Sequence, residues 1–520
     1  LSPTTKEILL FRTSGEDGRV MVKLDRVRSQ WLAVVYAGAG LLWLAFDRYW
    51  VLPRLLANRS DRVDAAIRWL IATQPALFLP GDPLGQWRNF SGAFLIALPL
   101  HFAIVNFIRW RLMQVADTEC GIWSLPGRIV AALASCFLAL TLLTGPRHDY
   151  FFYVQMWYEV WQGHDPWFLV GSRDGVVPLN AYGPLFNVFV LPYAINPLAP
   201  KLIFASLYSL FAIGNVLPLA AGRPASWPRL IALLALFWNP FPWVEIAVRG
   251  HFDILVGLAS LAAVAAWNRG RDGQSGACLA AGILLKYMPI TLVPFFALDR
   301  GRVRWRFLFF SIGLTIFGME LAFHIWGLSV FEPLRFAASR HSTVLSIFLF
   351  LRGRYSPLHW IGGVLNQDYL SPYVTLAALY LAWLWYRTRW PDILSASLVA
   401  ALITVLLYRS GYPQYQMLPF ALGTRWLVVS WHRLRGRPLI ALAAASYIAW
   451  LAAFESYYAN INDDYGELYW IYVRDFLGLP TFLLGCAFIA AVVRLSSPTA
   501  TELVAPAASE SASLFDRPPG

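Results

Sequence analysis

The stretch RIVAALASCFLALTLLTGPRHDYFFY, residues 128–153, decides the reading of the fold. An apolar run from Arg128 to Thr144 stops at Gly145-Pro146. Arg147, His148 and Asp149 follow with no spacer, and then the aromatics Tyr150, Phe151, Phe152 and Tyr153. A run of this length crosses about 30 Å of hydrocarbon as a helix. The polar triplet therefore stands where a helix leaves a bilayer, with aromatic rings suited to the headgroup layer.

Working outward, the same pattern recurs. Windows of 16–21 apolar residues appear repeatedly from residue 31 to residue 494. The 520-residue chain is 58% hydrophobic and only 14% charged, with a mean hydropathy of +0.52. The expected fold class is all-α, a polytopic transmembrane helical bundle of roughly 12–14 membrane segments. Continuous apolar runs exclude a β-barrel, whose strands alternate. The net charge of +12 would suggest nucleic acid in a soluble protein, but here the arginines sit in short loops and act as orientation signals, so no nucleic-acid partner is expected. Cys120, Cys136, Cys278 and Cys486 are scattered without a CxxC, which supports neither a disulfide framework nor a zinc site.

The basic loops DRGRVRWR (299–306), YRTRW (386–390) and WHRLRGRP (431–438) are placed in the cytoplasm. Spans near 304–325, 371–388, 392–408, 412–431, 438–457 and 475–494 then alternate, and the acidic loop 455–475 falls outside. Counting back puts residues 147–149 on the external face. The organisation expected is a cytoplasmic segment 1–30, which has no apolar core and does not read as a signal peptide, and an extra N-terminal hairpin 31–126. A core 127–326 with an external loop 146–180 follows, then an external loop 327–370, C-terminal spans 371–494 and a disordered Ser/Ala/Pro-rich tail 495–520. Arg54, Arg59, Arg62, Arg68 and Arg88 fall outside on this count, an exception that the charge rule does not explain. Two segments stay open: 181–195 is short for a span, and 276–298 is interrupted by Lys286 followed at once by Tyr287-Met288-Pro289. A Pro-broken segment is tolerated only against protein or a water-filled cavity.

Several residues can carry chemistry. Asp149 can act as a general base on a hydroxyl held at the membrane surface, with His148 and Arg147 tuning its charge or holding an anion; the competing reading is a solvated cap at a helix exit. The stretch YFFYVQMWYEVWQGHDPWF, with Tyr153, Glu159 and His164, suits a helix lying in the headgroup layer, its rings either anchoring it or stacking on a sugar. WNPFPWVEIAVRGHFDILVGL (238–258) supplies Asn239, Glu245, Arg249, His251 and Asp253 at or near a span end; i,i+4 pairing of Glu245 with Arg249, or of Arg249 with Asp253, is the structural alternative. Lys286 stands too far from a basic loop to snorkel and calls for an anion, which a lipid phosphate would supply. Arg340 and His341 fall in the long external loop, and Gln414 and Tyr415 at a span start.

In this order the pieces resemble the GT-C superfamily of integral membrane glycosyltransferases, most closely the polyprenyl-phosphate-mannose-dependent mannosyltransferases. The matching pieces are RHDYFFY, GHDPW, NAYGPLFNVFVLP with Tyr182, WNP followed by RGHFDILVGL, GILLKYMPITLVP and GYPQYQMLPF, covering roughly residues 127–431. They specify the superfamily without naming sugar or acceptor. The chain departs from many relatives in carrying His-Phe-Asp at 251–253 where they have a Gln-x-Asn-like pattern, and in its extra N-terminal hairpin. The resemblance implies a plasma-membrane enzyme that transfers a sugar with inversion on the external face. The donor would be a polyprenyl-phosphate sugar, and the acceptor a lipid, glycan or protein. It makes Asp149 the catalytic base. The substrate contacts expected around it are His148, Arg147, Tyr153, Glu159, His164, Tyr182, His251, Asp253, Lys286, Tyr287, Arg340, His341, Gln414 and Tyr415, with Lys286, Arg340 and His341 meeting the donor phosphate. Membrane lipids are partners. A phosphate leaving group needs charge neutralisation more than protonation, and no metal-ligand cluster stands out, so neither metal nor cofactor is expected.

Two rival classes make different demands. A lipid-linked saccharide transporter or flippase would show related halves and mid-bilayer charges. An O-antigen ligase or polymerase-like enzyme would place its essential residues in a late large loop, whereas the acid here is early.

Overall fold

The computed structural model describes residues 125–145, 149–172, 175–178, 180–216, 235–340, 342–353, 356–364, 367–434, 436–464 and 474–496. The expected segment 1–30, nearly all of the hairpin 31–126, the tail from 497, and Arg147, His148 and His341 lie outside the described residues. What is described is almost entirely helix. The strands are two short antiparallel hairpins, Leu169–Ser172 with Gly175–Pro178 and Leu298–Asp299 with Arg302–Val303. Four described helices are long and apolar enough to cross a membrane, or five if Pro240–Val248 and Asp253–Asn268 form one broken span. The protein is an all-α polytopic bundle.

The chain divides into two compact units, Leu1–Pro166 with Asn187–Phe252, and Trp167–Phe186 with Asp253–Gly520. In the first, an apolar helix Leu125–Leu143 ends just before Gly145, whose positive φ of 60° closes the helix. It packs on the helix Ala199–Val216 and on the turn Trp243–Val248. Phe137 meets Tyr208 at 5.2 Å and Trp243 edge-on at 5.4 Å between ring centroids. The helix Asp149–Trp161 buries Tyr150, Tyr153, Val154, Met156 and Trp157 on one side, so Tyr150, Tyr153 and Trp157 belong to the core. Phe152 and Trp161 stay exposed. The segment that was open at 181–195 folds as a 3-10 turn Pro184–Phe189 and a short helix Val190–Ile195.

In the second unit the stretches expected as late spans are covered by helices Trp305–Trp326, Gln367–Arg389, Ile393–Leu407, Met417–Leu434, Pro438–Asp464 and Gly478–Ser496, of which the first and the last two include segments long and apolar enough to cross a membrane. Ile393–Leu407 is buried on every face, capped at its start by Asp392, whose Oδ1 accepts from the Ser395 N–H at 2.9 Å. Trp305–Trp326 presents Phe309, Ile316, Phe317, Leu321 and Ile325 outward, as a lipid-facing helix does. The segment 276–298 is broken as the sequence suggests. Helix Asp272–Leu285 stops at extended Lys286, and a 3-10 turn Met288–Leu292 carrying Pro289 leads into Val293–Phe296.

Candidate active site

In the first unit the chemistry gathers around Asp149. It opens the helix Asp149–Trp161, where the helix dipole favours a carboxylate. His251 presents Nε2 to Asp149 Oδ2 at 3.4 Å, an ion-pair distance at the outer limit of a hydrogen bond. The other ring nitrogen, Nδ1, lies 2.6 Å from Glu245 Oε2, and Glu245 Oε1 accepts from Arg249 Nη1. Asp149, His251, Glu245 and Arg249 thus form one chain in which acidic and basic groups alternate. The Asp149 side chain is 41% exposed, against 4% for His251 and 0% for Glu245. Only the outer end of the chain is open to a substrate.

The local backbone explains the array. Asn239 caps the short helix Pro240–Pro242 by accepting from the Phe241 N–H at 2.9 Å. The chain then widens into a π-helical turn, Trp243–Val248, a rare geometry frequent at functional sites. Its exit bends back: the His251 N–H donates to the Glu245 carbonyl at 2.8 Å, beneath the side-chain contact between the same two residues. Gly250 makes the bend at φ +72°. A Cβ there would lie 2.7 Å from the Tyr150 ring and 3.0 Å from Lys201 Cε.

Lys201 ties these pieces together. Its buried ammonium donates to Thr144 Oγ1 at 2.9 Å, the Gly145 carbonyl at 2.8 Å and the Val248 carbonyl at 2.9 Å. These oxygens belong to the ends of two helical segments, where a cation complements the dipole. The Lys201 backbone N–H donates to the Tyr150 hydroxyl, which itself donates to the Pro197 carbonyl at 2.5 Å. The residue next to Asp149 is thereby fixed to the start of Ala199–Val216.

In the second unit, Lys286 is paired with Asp253, both buried. Its ammonium also sits over the Tyr415 ring at 4.0 Å and the Tyr182 ring at 5.5 Å. The Tyr415 hydroxyl is the partner of the Arg340 guanidinium, which stacks on Tyr412 at 4.7 Å. Burial opposes the Arg340 charge, but the tyrosine hydroxyls around it, Tyr415 foremost, raise its pKa above the ordinary arginine value. Tyr182 is strapped beside Lys286 because the Gly183 N–H donates to the Leu285 carbonyl at 3.1 Å. The approach is so close that a Cβ on Gly183 would lie 2.1 Å from the Leu284 oxygen. Gln414 is buried next to Tyr415 in the chain. The result is a cluster of two cations, one carboxylate and tyrosine rings, able to receive an anion.

The structure therefore brings together Asp149 with His251, and Tyr182, Asp253, Lys286, Arg340 and Tyr415. It does not bring all the expected contacts to these clusters. Tyr153 is buried against Tyr150, Trp157 and Phe252 as core. Glu159 and His164 pair with each other at 2.7 Å at the far end of the aromatic helix, about 15 Å along its axis from Asp149. Tyr287 turns its hydroxyl to Met319 Sδ at 3.9 Å. Glu245 stood in the sequence as a candidate near a span end, with an i,i+4 pair to Arg249 as its structural alternative, but was not counted among the substrate contacts. Lys201 carried no expectation, although a lysine in the apolar run APKLIFASLYSL (199–210) is the same signal that singles out Lys286.

Residues 180–408 match the model of glycosyltransferase family 87. No curated protein and no solved structure matches the chain. The family match supports a glycosyltransferase activity, and with the apolar helices it supports an integral membrane protein. Tyr182, Glu245, His251, Asp253, Lys286 and Arg340 fall within the matched range; Asp149 precedes it, and Tyr415 follows it.

Proposed function

We propose that the glycosyl transfer supported by this match is the inverting transfer of a sugar, mannose, from a polyprenyl-phosphate donor to a lipid, glycan or protein acceptor on the external face of the plasma membrane. The observation that carries the reading is Asp149, a half-exposed carboxylate backed by buried His251 at the point where an apolar helix ends and an aromatic helix begins. The acceptor hydroxyl gives its proton to the Asp149 carboxylate as its oxygen attacks C1 of the sugar. The C1–O bond to phosphate breaks on the opposite face, and the electron pair leaves with the lipid phosphate. This leaving group needs neutralisation more than a proton. Lys286 and Arg340 of the second unit are assigned that task, with His341 next in the chain. The donor keeps its lipid in the membrane, so a base at a helix exit meets the acceptor hydroxyl at the surface.

The test uses membranes containing the full chain, supplied in turn with radiolabelled polyprenyl-phosphate mannose, glucose or arabinose. Label is expected to pass from the mannose donor to a lipid, glycan or protein, and not to pass in the Asp149→Asn variant. Transfer from none of the three donors, with the protein shown to be present and folded, would overturn the reading.

A further inference from the structure

We infer that Glu245 and His251 are a positioning pair that aims the Asp149 carboxylate at the acceptor hydroxyl. The inference rests on the reading of Asp149 as the base and adds to it two buried residues that touch no substrate. Glu245 has no exposure at all, yet it divides its carboxylate between two basic partners, Arg249 through Oε1 and His251 through Oε2. One buried carboxylate and one arginine at i,i+4 already form a balanced pair. Placing the second oxygen on an imidazole is explained by where that ring points. Its far nitrogen faces Asp149, the one member of the array that reaches solvent. His251 is tied twice to Glu245, its backbone N–H donating to the Glu245 carbonyl at 2.8 Å and its ring Nδ1 meeting Glu245 Oε2 at 2.6 Å, so both its backbone and its ring are placed by the same residue. The π-turn and the left-handed Gly250 exist in the positions that this double pinning requires.

The charges around the imidazole support the assignment. Asp149 and Glu245 face it directly. Arg249 acts through Glu245, and the Lys201 ammonium is turned to the Gly145 and Val248 carbonyls. A proton on the ring gives two acids and two bases in balance, with a cation facing Asp149. An opposite charge at this range favours an ionised carboxylate, which is the form a general base needs.

The experiment compares His251→Gln, Glu245→Gln and the double variant in turnover of the labelled donor, with Asp149→Asn alongside. Misaiming a reacting group by about 1 Å costs about 100-fold. Each single variant is expected to lose kcat on that order while donor KM stays within about twofold. Glu245 works through His251, so the double variant is expected to be no slower than His251→Gln alone. The acid limb of kcat/KM is expected to move to higher pH in His251→Gln, because the cation facing the carboxylate is gone. A pair that only holds the π-turn together would lower the yield of folded enzyme and leave kcat and the acid limb of the surviving fraction unchanged; that result overturns the inference, as would strictly additive losses. If Glu245→Gln does not accumulate, Glu245→Gln with Arg249→Gln carries the same comparison without stranding a buried charge. Normal turnover in Asp149→Asn defeats the base assignment itself. An inactive Asp149→Asn beside normal Glu245 and His251 variants defeats the positioning pair alone.

Discussion

A carboxylate at the first position of a helix is stabilised where it stands, so its place alone does not make Asp149 a base. The buried histidine behind it is what a solvated cap would not need. Asp149→Asn keeps the shape and removes the proton acceptor. Donor binding and folding are expected to persist while turnover falls by at least about 100-fold, measured with the labelled donor. Asp149→Glu is expected to recover little, since an added methylene displaces the carboxylate beyond hydrogen-bond tolerance. Lys286 poses a different question because its anion is already present as Asp253. Lys286→Met strands that carboxylate and is expected to cost about 3–5 kcal/mol of stability. Lys286→Met with Asp253→Asn removes both charges and is expected to restore the melting temperature in detergent. If the lysine also meets the donor phosphate, donor KM stays raised in the double variant. A donor KM that recovers along with stability would reduce Lys286 to a structural partner.

At the scale of elements, the first unit depends on how two chain ends are fastened. Thr144 and Lys201 bind the end of Leu125–Leu143 to the end of the π-turn, with Thr144 Oγ1 reaching the Ala247 carbonyl at 2.8 Å. Gly250→Ala meets a left-handed backbone costing about 1–2 kcal/mol and a clash with Tyr150 besides. It is expected to lower the melting temperature and turnover together, whereas Gly270→Ala, at φ +68° with open space around it, is expected to lower stability alone. These fastenings also show where sequence reading stops. The apolar helices were legible because span length and hydropathy are local. So was the break at Lys286, because a proline and a charge in one apolar run are local too. The Glu245–Arg249 pair was one of two that i,i+4 spacing offered, the other being Arg249 with Asp253, which pairs with Lys286 instead. The return of His251 to Glu245 depends on a π-turn, which leaves no periodic signature. Lys201 finds its acceptors 47 to 57 residues away in sequence, at Val248, Gly145 and Thr144. No local pattern announces such contacts. Tyr153 and Glu159 entered the expected site as part of an aromatic stretch able to stack on a sugar, and helix geometry carries one into the core and the other to the far end of the helix.

For the whole molecule, the open physical question is which face of the membrane holds the chemistry. The second unit supplies an internal parity. Between the basic loops at 299–306 and 386–390 lie two long helices, Trp305–Trp326 and Gln367–Arg389, and between the latter loop and 431–438 lie the shorter apolar helix Ile393–Leu407 and the helix Met417–Leu434. If each crosses once, all three loops share a face, and arginines in short loops resist translocation. Arg304 is the exception in chemistry. Burial opposes its charge, yet Asp299 at 2.5 Å and Asp272 at 2.7 Å raise its pKa above the ordinary value, and it stacks on Trp267 at 4.0 Å. Arg300, Arg302 and Arg306 remain to orient that loop. The proposed function requires the loop after Trp161 to lie on the opposite, external side. The check replaces the native cysteines first, since Cys136 is exposed and Cys278 and Cys486 are partly so. A single cysteine is then introduced at His164 or Arg435. An impermeant thiol reagent added to intact cells is expected to label the His164 position at once, and the Arg435 position only after the membrane is opened. Labelling in the reverse order would put Asp149 on the cytoplasmic side, where a donor presented on the external leaflet could not reach it, and the proposed direction of transfer would have to be abandoned.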